Sequence, residues 1–231
     1  MNLIGSLFHS TDYYIFLYSE GFMKIWDLKN RKFIENISKK SRNILFLNSS
    51  ICEYSLIDSK IDPDKKADME EFIKWHYKRE YFMERPKIDW IATENGKILC
   101  FGCEENVLSE KIGILSEKGM ILEKVDGMLT LLINAGRKLS ESRQKILVNL
   151  IDFDDVSIMG FYDGKIEFLR NFKFYGQDSL DREILSTTAY FQFSPQKKVE
   201  FFTGENAQRE NSYYLFNDNI FKYIIDEKLP F

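Results

Sequence analysis

Three β-type stretches follow one another in the second half of the chain: Lys145–Phe153, Val156–Tyr162 and Lys165–Phe174. Only Asp163-Gly164 separates the last two. Asp and Gly both tolerate positive φ, which a two-residue hairpin turn requires, so the run is constrained to an antiparallel meander. A helix is expected from Gly176 to Phe193, stopped by Pro195, and then a strand over Val199–Thr203 that reaches Gly204. A final helix is expected over Ala207–Phe216. Strands with helices returning over them are the pattern of an α/β protein.

The first half reads similarly. Alternating apolar and polar residues mark strands at Tyr13–Ser19 and Phe22–Leu28 around a Glu20-Gly21 turn, then at Asn43–Leu47 and Cys52–Ile57. Asp62-Pro63-Asp64 breaks that pattern, and Pro63 can start a helix through Ala67 to Phe82, with Met69, Phe72, Ile73 and Tyr77 on one stripe. Strands follow at Ile88–Ala92 and Lys97–Cys103, joined at Asn95-Gly96. A helix over Glu105–Lys118 stops at Gly119, Met120–Val125 is a strand, and a helix over Gly127–Ala135 closes at Gly136. The polar segment Gly136–Gln144 is the expected boundary between lobes at 1–138, with an inserted α/β subdomain, and 139–231.

Composition narrows the function. The 231 residues are 44% hydrophobic, enough for a sizeable core, and carry a net charge of −4 with signs mixed throughout. Binding nucleic acid needs clustered Lys and Arg, and the densest groups here are interleaved with acids. No apolar run approaches the roughly 18 residues that cross a bilayer, and Met1 to Gly5 does not read as a secretory signal. Three cysteines make no disulfide framework, so a cytoplasmic setting is expected.

Cys100-Phe101-Gly102-Cys103 could be a redox pair or, with Cys52, His9 or His76, part of a metal site. Within one strand, however, the two side chains point to opposite faces, which favours buried small hydrophobes. Asp152, Asp154 and Asp155 could hold a divalent cation, or form a solvated acidic turn, the favoured reading. His76, between Lys74 and Lys78, reads as a surface residue outside any nucleophile–base pattern. Trp75 with Phe72 is either a partner hot spot or core, with core favoured.

In order along the chain, Arg42 to Ser50, Phe72-Ile73-Lys74-Trp75, Gly119 to Asp126, Tyr162-Asp163-Gly164 to Arg170, and Gly176 to Phe191 resemble the PilM family of type IV pilus assembly proteins. That family includes the cytoplasmic domain of the secretion protein GspL. The resemblance spans about Asn43 to Gly204, and His76 stands where the family's helix has Glu. It implies an actin-like (ribonuclease H-like) two-lobed fold with mixed sheets flanked by helices. Working members of that fold hold ATP between two turns built on Asp-x-Gly, where glycine admits backbone N–H groups to the phosphates. Here Leu7 and His9 fall at the Asp and Gly of the first turn, Asn149 and Ile151 at those of the second, and only Gly204 survives of the adenosine motif.

The resemblance therefore implies a vestigial nucleotide site, no cofactor, no metal and no catalysis. It implies a scaffold at the cytoplasmic face of the inner membrane that binds the cytoplasmic segment of a pilus or secretion protein and can form homo-oligomers. The first-lobe helix bearing Phe72, Trp75 and Phe82 is the expected contact, with Trp75 foremost. The alternatives are an actin-like ATPase or kinase with a rearranged phosphate site, and a small redox protein built on Cys100 and Cys103.

Overall fold

Tyr13–Ser19 (β1) and Phe22–Asp27 (β2) pair antiparallel with Ser19 opposite Phe22, as their alternation requires. They belong to a computed structural model whose described residues are 13–19, 22–37, 42–48, 51–117, 119–152, 155–173, 177–203, 212–217, 220–222 and 224. The expected Glu20-Gly21 turn lies outside these. Lys32–Ile34 (β3) adds to the free side of β2, and Arg42–Leu47 (β4) runs parallel to β1. Ile121–Gly127 (β8) runs parallel to β4, giving the sheet order β3-β2-β1-β4-β8.

Between β4 and β8 the chain builds a separate unit. Cys52–Asp58 (β5), Pro86–Ala92 (β6) and Lys97–Glu104 (β7) form an antiparallel sheet in the order β5-β7-β6. Lys66–Glu80 (α1) covers one face of it, packing Met69, Ile73 and Tyr77 on Ile98 and Cys100. That is the apolar stripe read from the sequence. The helix ends at Glu80, two residues earlier than expected, because Tyr81 and then Phe82 at φ 56° turn away. Glu105–Glu117 (α2) leads back to β8.

The second sheet opens with the expected meander, Lys145–Asp152 (β9), Asp155–Tyr162 (β10) and Lys165–Lys173 (β11). Asp163 and Gly164 turn it at φ 50° and 73°, as a two-residue hairpin demands. Gln177–Tyr190 (α4) lies over one face, with Leu180 and Ile184 on Leu147, Ile158 and Phe168. Lys197–Phe202 (β12) runs parallel to β9, and Ser212–Tyr214 (β13) parallel to β12. The helix expected over Ala207–Phe216 is therefore corrected at 212–214, which is extended; 207–211 lie outside the described residues. Two adjacent tyrosines suit a pleated edge, and Tyr213 packs on Phe201 at 6.0 Å.

Met128–Leu139 (α3) joins the two sheets. Its buried residues share one core with Ile15, Leu17 and Phe46 of the first sheet and Val148, Leu150 and Phe161 of the second. Gly136 does not end this helix: it lies within it, and a Cβ there would sit 2.3 Å from the Phe161 ring. The glycine serves close packing, and the helix caps at Ser140 instead. The boundary expected between residues 138 and 139 thus falls in the last turn of a helix that touches both sheets. From the other side, Phe221 packs on Trp26 at 5.0 Å and on Phe33 at 5.1 Å.

Candidate partner-binding site

The strand β6 pairs with β7 on one side, and among the described residues nothing pairs with its other side. Beside that edge runs a groove of about 350 Å³, with Glu70, Lys74 and Lys78 of α1 on one wall and Pro86, Lys87 and Ile88 of β6 on the other. The 70, 74, 78 spacing puts one row of helix side chains along the groove. Trp75 flanks that row, and the structure corrects its reading as core: it is 51% exposed. Phe72 stacks on it at 6.1 Å, and the Arg79 guanidinium lies 5.1 Å from its ring. Phe82, just past the helix, is 87% exposed. Of the three residues expected to meet a partner, Phe72 and Trp75 stack together, and Trp75 and Phe82 are open to solvent.

The insert is fastened at its other end. Asn171 of β11 donates to the Tyr54 carbonyl at 2.8 Å, Asn95 donates to the Ile166 carbonyl at 2.8 Å, and Lys97 donates to the Glu167 carbonyl at 2.6 Å. These bonds cap carbonyls along the edges of β5 and β11 that face each other across the seam. Burial keeps the Tyr54 phenol protonated; it donates to Thr130 Oγ1 at 2.8 Å, and Thr130 donates to Asp126 at 2.7 Å. Lys124 pairs with Asp126 at 2.6 Å. The groove thus sits on a platform bonded to both sheets. Glu53 lies in the same seam, where burial and the nearby Asp155 raise its pKa to about 7 against the opposing pull of Lys173.

His76 is not the surface residue read from the sequence. It is half-buried, its Nε2 is 3.0 Å from Ser55 Oγ, and Ser55 Oγ is 2.8 Å from the Tyr81 hydroxyl. Burial lowers the His76 pKa below the ordinary histidine range. Nothing in the sequence points to this contact, because it depends on α1 folding back over β5.

Of the residues expected at the nucleotide turns, Leu7, His9 and Gly204 lie outside the described residues. Asn149 and Ile151 are not in a turn. Both are buried within β9, opposite Ile158 and Val156. Asn149 Nδ2 is 3.4 Å from Glu200, whose carboxylate pairs with Lys198 at 2.7 Å. Asp152 is buried and accepts from Thr203 at 2.7 Å, and Asp155 pairs with Lys173 at 2.7 Å. These carboxylates are committed to neighbours, and among the described residues no group of three or more His, Cys, Asp or Glu could hold a metal ion.

Cys100 and Cys103 both lie in β7 and face opposite ways, Cys100 toward α1 and Cys103 toward Leu45 and Leu47 of the first sheet. All three cysteines are free and buried. No described helix is long and apolar enough to cross a membrane.

Solved structures share this fold. A Bacteroides thetaiotaomicron protein of unknown function with an actin-like ATPase fold superposes with a TM-score of 0.61 at 13% identity, over 93% of this chain and 88% of that one. The fold is actin-like. The cytoplasmic domain of EpsL, an inner membrane component of the type II secretion system of Vibrio cholerae, superposes at 0.58 and 9% identity over 94% of both chains. The PilM–PilN type IV pilus biogenesis complex matches at 0.57 and 13% identity, over 83% of this chain and 68% of that one. No family model matches the sequence, and no curated protein sequence matches it.

Proposed function

We propose that this actin-like protein is a non-catalytic scaffold at the cytoplasmic face of the inner membrane. It takes an extended segment of a membrane-anchored pilus or secretion partner into the groove between α1 and β6. The observation that carries the reading is the β6 edge, unpaired among the described residues, beside that groove, with Trp75 exposed on the neighbouring row of α1. An added strand gains main-chain hydrogen bonds from such an edge, while alternate side chains enter the groove. The likeness to PilM–PilN and to the EpsL cytoplasmic domain supports the class of partner.

Trp75→Ala tests the site. Trp75 is half exposed and outside the buried cluster under α1, so its removal should leave the melting temperature within about 2 °C of the parent. Affinity for the partner segment, measured by calorimetric titration, should fall at least about tenfold, or roughly 1.4 kcal/mol. Unchanged affinity would exclude this groove, and failure of any inner-membrane pilus or secretion component to co-purify with the full chain would end the scaffold reading.

Nucleotide independence belongs to the same proposal. A ligand present at 100 times its Kd and binding only the folded state stabilises it by about 2.7 kcal/mol. Melting curves with and without millimolar Mg-ATP are expected to coincide. A clear upward shift would favour an actin-like ATPase instead.

A further inference from the structure

Cys52 and Cys103 stand directly opposite each other on β5 and β7, far apart in sequence and separated by one rung of the ladder in space. Directly opposed residues on antiparallel strands have Cα atoms about 4.5 or 5.5 Å apart, depending on the rung, and both distances fall inside the range that disulfides span. The sequence motif pairs Cys103 with Cys100 on the same strand, but the sheet does not. Cys100 opposes Ser55 and Trp90 on the other face, so Cys52 is the one thiol in reach of Cys103.

We propose that Cys52 and Cys103 are a disulfide-forming site that locks the base of the insert when the protein meets a low-molecular-weight disulfide such as oxidised glutathione. Cys52 opens β5 where the chain enters the insert, and Cys103 is one residue from the end of β7, just before α2 carries the chain back to the first sheet. A bond between them closes the insert on itself at its point of attachment.

The Cys103 thiol donates to the Glu104 carbonyl at 3.7 Å, and the ladder sets the Cys52 thiol beside it. The neighbouring Cys52 thiol draws the Cys103 thiol below its ordinary range, while burial holds the Cys52 thiol above. Cys103 is therefore the attacking thiolate. Its sulfur displaces one thiolate from the small disulfide and forms a mixed disulfide. Cys52 then gives up its proton, its sulfur attacks the Cys103 sulfur, and the second small thiolate leaves. Two protein thiols lose two electrons and two protons, and one small disulfide becomes two thiols. Both side chains are buried, so the first step proceeds only when the base of the insert opens, and the reaction is slow.

The test incubates the folded full chain with oxidised glutathione at pH 8 and maps linkages by non-reducing mass spectrometry. A single Cys52–Cys103 linkage is expected, forming over hours, faster in mild urea, and equally in a Cys100→Ser variant. The oxidised protein should melt about 5 °C or more above the reduced one, and dithiothreitol should reverse the shift. Three results would each overturn the proposal: no linkage while the protein stays folded, glutathione adducts that never resolve, or linkages that include Cys100. Because the readout is covalent and needs no partner, it stands or falls apart from the scaffold reading.

Discussion

Phe161→Ala is expected to remove about 3–5 kcal/mol of stability and still leave a single unfolding transition. The ring is fully buried on β10 and fits against Gly136, where α3 passes closest to the second sheet. Truncation opens a cavity within the core that the second sheet, the connecting helix and the first sheet share. The three tryptophans, Trp26, Trp75 and Trp90, all lie in the first sheet or its insert, and none lies on the second sheet. Their fluorescence therefore reports the half of the molecule that does not carry the mutation. If the two sheets share one cooperative core, fluorescence and far-ultraviolet dichroism will shift together to lower urea. A dichroism shift with fluorescence left in place would mean two lobes that unfold independently, despite the contacts through α3.

Local rules make much of the fold readable, and the failures have local causes too. Asp163-Gly164 fixes its hairpin because two consecutive positive φ angles admit few other residue pairs. The α1 stripe is readable because Met69, Ile73 and Tyr77 recur at helical spacing over one apolar surface. β3 and β13, three residues each, are too short to show a period. Gly136 looks like a helix stop because glycine often is one, and only the Phe161 ring facing it shows why the helix continues. At the site, the helix carrying Phe72 and Trp75 is legible, but its end before Phe82 and which of these aromatics is exposed are not. An aromatic at the edge of a stripe can turn either way, and here the interior places went to Ile73 and Tyr77. The Ser55–His76 contact and the Cys52–Cys103 rung depend on pairings between distant segments, which a single sequence does not display.

Glu53→Gln is expected to stabilise the protein by about 2–3 kcal/mol at pH 8 and by far less near pH 4.5. Burial in the seam between the insert and the second sheet, reinforced by Asp155, raises the Glu53 pKa from 4.5 to about 7, although Lys173 pulls the other way. A carboxyl group with a raised folded pKa favours folding while it stays protonated. Its contribution is whole below the unfolded value of 4.5 and is lost as pH rises through about 7. At pH 8 the wild-type protein folds with a charge it has to bury, whereas glutamine keeps the shape and the neutral state. A tenfold change in an ionisation equilibrium corresponds to about 1.4 kcal/mol, which sets the size of the effect. His76, held on α1 against Ser55 of β5, acts in the opposite sense. Burial lowers its pKa, so the stability its neutral form contributes is lost as pH falls below the ordinary histidine value of 6.5. The two groups therefore act on the insert in opposite senses, Glu53 weakening it toward alkaline pH and His76 toward acid. Urea denaturation of wild type and Glu53→Gln across pH 4.5 to 8 should show the two curves diverging toward alkaline pH. Parallel curves would mean that Glu53 ionises as freely in the folded protein as in the unfolded chain, and that the seam is wetter than its packing indicates.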